Sequence, residues 1–527
     1  MEDWRISEHP ILKFERGREL TIYFDGKPLK AYENETVAAA LYASGVRVFS
    51  RSIKYHSPRG FFCAIGRCNS CMMEVDGVPN VKTCVVRVGD GMRVKLQRSF
   101  TDKLAPLLNR MKLSPLTYIK MFTRPSFIYK PAMKVMRQFT GIGSLPKRVR
   151  GEVGKKGDEE LSAELLIVGA GPAGLSAAIE AGQLCKNVIL VDDKDRLGGQ
   201  LIKQTHTFFS DVKYAAGKRG FKLGEEMVGK ILKMKSVRVF TNTSALAYYP
   251  QENLMLMLKG NDTLLKVRAK KYLIATGAYE RMLVFENNDL PGVYGAGGVQ
   301  TLLNVYGIKP GRHGLMVGTG NVGLIVTYHL LQAGVNMKAI MAPSFRRIRG
   351  YFVHAAKVTR LGVPIITRHT ILKALGRDRV EGAIIIKIDE KYNPIPGTEK
   401  KIDCDFICLG IGLNPTYDLV QMFKPKIVYA PQLGGFVPVR DKYYRVKKNV
   451  YISGDCAGIE EATTAVLEGG VAGLHAVISM GYEDEVAWAK IEEYKRALEE
   501  ERASPFSSAV KAALKEITIE NIEDIGG

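Results

Sequence analysis

The stretch AELLIVGAGPAGLSAAIEAG (163–182) constrains the fold more than any other part of the chain. An apolar run of strand type meets a glycine turn and then a small-residue run of helical type. Gly169, Gly171 and Gly174 stand in GxGxxG register. In that register the first glycine makes the tight turn, the second lets the backbone approach a pyrophosphate, and the third lets helix and strand pack closely. The helix N-terminus then offers free N–H groups and a positive dipole end to the anion. The following run, NVILVD, ends at Asp192, 21 residues after Gly171, where a carboxylate can take ribose hydroxyls. Gly199 and Gln200, in the GGQL segment just beyond, join the candidate cofactor-binding set. The feature demands an α/β domain with a parallel sheet.

The pattern recurs in GLMVGTGNVGLIVTYHLLQAG (314–334), with Gly318, Gly320 and Gly323 in the same register. Flanking it, IATGA (274–278, with Thr276 and Gly277) and VYISGDCAG (450–458, with Gly454 and Asp455) resemble the two later signatures of flavoproteins with two dinucleotide-binding domains. In such proteins the carboxylate at the Asp455 position binds the ribityl or phosphate region of the flavin. The expected layout is an FAD-type domain from 161–292 and 399–482, interrupted by a nicotinamide-type domain at 293–398. The second strand of the inserted domain ends at Ala342-Pro343, without a ribose-binding carboxylate. Arg346, Arg347 and Arg349 follow; they suit either a 2′-phosphate or a basic surface turn on an empty domain. No cysteine lies in GGQLIKQTH and no CxxC in the inserted domain, so disulfide reduction is not expected.

Four of the eight cysteines are clustered: Cys63, Cys68, Cys71 and Cys84. CxxxxCxxC followed after twelve residues by a last cysteine is plant-type [2Fe–2S] ligand spacing, in which a loop supplies three thiolates and a strand delivers the fourth. LTIYFDGKPLKAY predicts a hairpin turning at Asp25-Gly26, TVAAALYASGV a short helix, and CMMEVDGVPNVKTCVVRV a second hairpin turning at Asp76-Gly77. This is the β-grasp order of a ferredoxin, expected over 1–98. Gly60 and Gly66 suit a loop whose amides approach sulfides. The spacing to Cys84 resembles the ferredoxin domains of molybdenum hydroxylases and of the small hydrogen cyanide synthase subunit. A structural zinc and uncommitted thiols are the alternatives, but zinc sites usually come as paired knuckles. Cys185, Cys404, Cys408 and Cys456 sit in apolar patterns and read as small buried hydrophobes.

The chain of 527 residues carries a net charge of +22, and the excess is concentrated. From Val94 to Lys156 there are 15 Lys and Arg against Asp102 and Glu152, or +13. No nucleic-acid motif accompanies this segment, so 99–160 reads as a solvated or partner-facing linker with helical segments. Apolar runs fall short of the ~18 residues of a membrane span. The start, MEDWRISEHP, lacks a basic-then-apolar signal, and the cytoplasm is the expected location. EVAWAKIEEYKRALEEE has helical spacing and predicts a packing or docking helix in a C-terminal tail from 483 to 527.

RSIKYHSPRGFF (51–62), YIKMFTRPSFIYKPAMKVMRQFTGIG (118–143) and DDKDRLGGQL (192–201) together resemble the α subunit of heterotetrameric sarcosine oxidase, from about residue 18 to 482. Archaeal dye-linked L-proline dehydrogenases and bacterial hydroxyproline, opine and cyanide-forming dehydrogenases look like the same clan. The resemblance implies a hetero-oligomer. In it an FAD-containing β subunit oxidises an amino acid, while the α-type chain binds a nucleotide and passes electrons onward, with small ferredoxin-like subunits as further partners. It implies FAD, NAD or ATP at the Asp192 site, with FAD favoured by the intact Asp455 signature, and allows FMN at a subunit interface. The sarcosine oxidase α chain lacks the cluster cysteines and continues into a folate-binding domain; here the cysteines are present, so transfer to a ferredoxin, quinone or dye is expected. No residue stands out as a catalyst of amine oxidation, and His56 reads as a packing or hydrogen-bond partner near the cluster. A self-sufficient NAD(P)H oxidoreductase and a scaffold with an inert nucleotide are the rival readings.

Overall fold

The computed structural model describes residues 3–52, 57–97, 158–208, 215–260, 262–344, 348–504 and 507–522. The basic linker, His56, Arg346 and Arg347 lie outside the described residues. The chain divides into two compact units: Met1–Arg150 with Glu280–Ile411, and Gly151–Tyr279 with Gly412–Gly527.

The first unit contains a five-stranded sheet with spatial order Lys27–Tyr32, Glu19–Phe24, Arg93–Lys95, Met72–Val75, Val78–Lys82. Both hairpins turn where expected. Asp25 and Asp76 have φ of 47° and 48°, and Gly26 and Gly77 both 81°, the paired left-handed conformations that match the strand twist. Helix Val37–Ala43 crosses this sheet, every residue of it buried, and starts at Thr36, whose hydroxyl accepts the Ala39 N–H at 3.3 Å. The same unit holds a five-stranded parallel sheet ordered Val293–Gly295, Phe406–Leu409, His313–Val317, Asn336–Met341, Ile365–Ile366.

The two sheets of this unit share a core. Leu41, Phe61 and Val94 from the ferredoxin-like part lie in one apolar cluster with Val299, Leu302 and Met316 from the dinucleotide part. The buried Tyr42 and Tyr294 hydroxyls meet at 2.5 Å, and Tyr42 also donates to the Pro310 carbonyl. The parallel sheet of this unit draws a strand from beyond the expected boundary at 398. Phe406–Leu409 is its second strand, fully buried, and an apolar strand can satisfy its backbone only inside that sheet. The first unit's second segment runs from Glu280 to Ile411, and Phe406–Leu409, beyond the expected boundary at 398, pairs with His313–Val317 in its sheet.

The second unit is built on an eight-stranded sheet. Val237–Phe240, Val188–Val191, Glu159–Val168 and Thr263–Ile274 lie parallel in that order, and Val450–Ile452 adds to Thr263–Ile274. Helix Pro172–Leu184 packs against helix Ala462–Ile478 at glycine contact distance: a Cβ on Gly469 would overlap Ala173, and one on Gly473 would lie 2.7 Å from the Ala177 Cα. The tail forms helices Glu485–Glu501 and Ser508–Ile517, then a short strand, Thr518–Ile519, paired with Arg440–Asp441. It is part of this unit's core, with Ile491, Tyr494 and Leu498 buried.

Candidate functional site

Cys63, Cys71 and Cys84 are buried and Cys68 is half-buried. Cys63 lies near enough to Cys68 and Cys84, and Cys84 to Cys71, for each thiol to shift the other's protonation. The four thiols thus lie together in one part of the ferredoxin-like domain. Among the described residues, no three His, Cys, Asp or Glu side chains gather as ligands of one metal ion. Four neighbouring thiols suit two irons, each taking two sulfurs. Cys63 is pushed down to about 2 because Cys68, Cys84 and the Ile65 N–H donate to it, while its partner Cys68 is pushed up. Cys71 is likewise pushed down, by Cys84 first, whereas Cys84 is pushed up by Cys63 and Cys71, so the four thiols share their protons.

The loop carries its own geometry. Ala64, Gly66 and Asn69 have φ of 57°, 74° and 60°; left-handed alanine is costly and persists only where the surroundings dictate it. Thr83 Oγ1 donates to the Cys71 carbonyl at 2.6 Å, and Ser50 Oγ to that of Ser70 at 2.8 Å. Gly66 fits the expectation of a tight loop. Gly60 serves a different purpose: a Cβ there would stand 2.8 Å from the Pro291 Cα, so this glycine lets the ferredoxin part close on its neighbour in the same unit. The Phe62 carbonyl, one residue before the first thiol, accepts the Gly295 N–H at 3.3 Å.

In the second unit the first glycine turn has the expected form. Gly169 has φ 107°, and a Cβ there would overlap the Ala275 carbonyl. A Cβ on Gly174 would overlap the Gly169 carbonyl. Gly171 precedes helix Pro172–Leu184, and a Cβ on it would meet only the Gly199 Cα, at 3.9 Å; that space suits a pyrophosphate. Asp192 is buried, its two oxygens accepting the Ala170 N–H at 2.7 Å and the Lys194 N–H at 2.8 Å. It fixes the turn and keeps a lone pair on each oxygen for a ribose. Burial, then the charge of Asp193, pushes it up to about 6. Gln200 is half-buried on the short helical turn Gly199–Lys203.

The two flavin-type signatures lie in the same unit. The Thr276 hydroxyl donates to the Thr416 carbonyl at 2.7 Å, and Gly277, φ 68°, accepts the Thr416 N–H at 2.9 Å. Gly454, φ 72°, packs on Ala173 at the start of the first helix, where a Cβ would lie 2.9 Å from the Ala173 Cβ. The neighbouring Ser453 hydroxyl is buried with no hydrogen-bond partner. Asp455 is half-buried; burial first, then Glu468 and Glu461, push it up to about 7. These residues fit an ADP-containing flavin.

The inserted domain repeats the turn. Gly318, φ 123°, lies against the Gly410 carbonyl, a Cβ on Gly323 would overlap the Gly318 carbonyl, and Gly320 faces open space. Thr319 is buried with its hydroxyl unpartnered. Arg349 is exposed. Sequence reasoning missed Glu468, whose Oε2 accepts the Gly454 N–H at 2.9 Å. Its signal was a lone acid in the apolar run ATTAVLEGGVAGLHAVI, since a charge buried in such a helix has to have partners.

Residues 17–99 match the family described as 2Fe-2S iron-sulfur cluster binding domain, and residues 163–469 the family described as Pyridine nucleotide-disulphide oxidoreductase. The sarcosine oxidase subunit alpha of Rhizobium meliloti (strain 1021) is 30% identical over 65% of this chain and 36% of its own length. That of Corynebacterium sp. (strain P-1) is 23% identical over 90% and 45%. The chain thus spans less than half the length of these relatives. The crystal structure of L-proline dehydrogenase from P. horikoshii shares the fold, with a TM-score of 0.63 and 23% identity over 92% of this chain and 79% of that one. No helix among the described residues is long and apolar enough to cross a membrane. The chain belongs to the pyridine nucleotide-disulphide oxidoreductase family and, as a homologue of sarcosine oxidase alpha subunits, joins to that fold an N-terminal 2Fe-2S cluster binding domain.

Proposed function

We propose that the chain is the α-type, nucleotide-binding and electron-transfer subunit of a dye-linked amino-acid dehydrogenase of the L-proline, sarcosine or hydroxyproline type. A separate FAD-bearing β subunit would oxidise the amino acid, and this chain would pass the electrons to an external acceptor. The observation that carries the reading is the presence in one chain of a 2Fe-2S cluster binding domain with four neighbouring cysteines and a flavin-type cradle. Bound FAD would take up electrons in pairs and a [2Fe–2S] cluster would pass them singly. The residues of this chain bind and orient. Cys63, Cys68, Cys71 and Cys84 hold the iron, Gly171 leaves room for the pyrophosphate, Asp192 offers its free lone pairs to the ribose, and Asp455 faces the ribityl or phosphate region.

A second reading, a self-sufficient NAD(P)H oxidoreductase, is favoured by the open space at Gly320 in the second glycine cradle. The test is co-expression with a β-type dehydrogenase, a screen of amino acids with a dye acceptor, and metal analysis of anaerobically purified chain. About two irons and two labile sulfides per chain are expected. Cys68→Ser should abolish the reduced-cluster signal and slow dye reduction while the β subunit is still reduced by substrate. Rapid NADH oxidation by the isolated chain would replace the first reading with the second, and stoichiometric zinc without labile sulfide would end both.

A further inference from the structure

The C-terminal tail lies beyond the residues matched by either family, yet through Arg502 it reaches the carboxylates beside the turn that carries the flavin-type signature. Two backbone groups of that turn are gripped from outside it, and its carboxylate has a third neighbour there. The Gly454 N–H donates to Glu468 Oε2 at 2.9 Å. The Glu460 backbone N–H lies near the Asp455 carboxylate and favours its ionised form. The Ala457 carbonyl accepts from Arg440 Nη1. Each gripping residue is itself tied to one tail side chain or to its partner. Arg502 donates from Nε and Nη2 to the two oxygens of Glu460, at 2.9 and 2.6 Å, and from Nη2 to Glu468 Oε1 at 2.7 Å. Arg440 Nη2 lies 3.8 Å from the same Glu468 oxygen.

The network is deeply placed. Arg440 and Glu468 are each 2% exposed. Buried ions of this kind are costly to isolate and strongly coupled to one another. Arg502 is held in position by the helix that ends beside it. Glu501 accepts the Thr463 hydroxyl at 3.1 Å, the Tyr494 ring lies against Gly470, and Tyr494 and Lys490 reach Glu180 of the first glycine-motif helix at 2.8 and 2.5 Å.

We propose that Arg502 is a positioning residue for the nucleotide: by forking across Glu460 and Glu468 it sets the Gly454–Asp455 turn, so the tail is a working part of the flavin pocket. The proposal rests on the FAD reading above. A planar guanidinium can serve two carboxylates at once, which a lysine ammonium does not reproduce.

The test uses the full chain stripped of nucleotide and titrated with FAD. Arg502→Met should raise the FAD dissociation constant about tenfold or more, as expected for loss of charge-assisted contacts, with iron content unchanged. Glu468→Gln should weaken binding as well, and the double variant should be no worse than the weaker single one, because both act through one turn. Additive losses would mean two unrelated structural defects and would overturn the proposal. So would an Arg502→Met affinity within about twofold of the parent alongside a lowered melting temperature. Glu492→Gln, which removes the charge of an exposed pair with Lys495 on the same helix, should leave affinity unaltered. If Arg502→Met does not fold, Glu460→Gln removes one arm of the fork, and an unchanged FAD affinity in that variant would equally sink the idea. A parent chain that binds no FAD would overturn the cofactor reading together with the clamp, whereas a binding parent with an unmoved variant overturns the clamp alone.

Discussion

The two glycine cradles are nearly identical as backbone and unlike in what surrounds them. In each, the first glycine is left-handed, at 107° for Gly169 and 123° for Gly318, and a Cβ on the third would overlap the carbonyl of the first. Around the first cradle stand a buried carboxylate, Asp192, tied to the turn, and the Gly454–Asp455 turn with its ionic support. At the corresponding strand end of the second stands Ala342, and the turn is held by Asn321 Oδ1 accepting the Tyr351 N–H at 2.8 Å and by Gly350 N–H donating to Thr319. The difference teaches that the glycine motif specifies a turn, whereas the groups around it specify how a ligand is gripped.

The sharpest way to break this comparison is to fill each cradle. Gly174→Ala and Gly323→Ala each force a methyl into a backbone carbonyl, at a cost of ~3 kcal/mol or roughly 10 °C in the transition of the unit concerned. Gly174→Ala should abolish FAD retention and keep iron. Gly323→Ala should keep FAD and reduce iron, since its domain shares a core with the ferredoxin part. Equal loss of FAD in both variants would show that the cradles are not independent.

A smaller effect is expected at Asp192. Asp192→Ala should weaken FAD binding by about 1 to 3 kcal/mol, the worth of a charge-assisted hydrogen bond, without altering iron content. Unchanged flavin after purification of the variant would place the grip elsewhere.

The smallest effect concerns Asp455 in the nucleotide-free chain. Its carboxyl is pushed from 3.8 up to about 7, so the folded state binds more protons than the unfolded state across that window. Stability contributed by this group is present at low pH and lost as pH rises through the window. Asp455→Asn cannot ionise. The melting temperature of the variant minus that of the parent should therefore grow from about pH 4 to about pH 7 and then level off. A difference that is flat with pH would mean that Asp455 does not sense its burial.

Much was legible because it is local. The hairpin turns at Asp25-Gly26 and Asp76-Gly77 and the three-glycine turns depend on residues within a few positions of each other, and left-handed φ leaves few alternatives to Gly, Asn and Asp. The cysteine spacing likewise pointed to thiols that meet. What was misjudged is non-local. The partner of Phe406–Leu409, which lies beyond the expected boundary at 398, was not foreseen, because an apolar strand does not announce which sheet will accept it. Gly60 was assigned to the cluster, while the atom that requires it belongs to Pro291, more than two hundred residues away.

By itself the sequence determined the turns, the helix starts and the thiols, since steric limits on φ and the reach of a short loop act within a few residues. Only the tertiary structure decided that the ferredoxin part and the inserted domain share one core, and that Arg502 in the tail completes an ion network under Gly454. Burying apolar surface and pairing buried charge are settled by whatever surface arrives in space, and sequence distance carries no record of that.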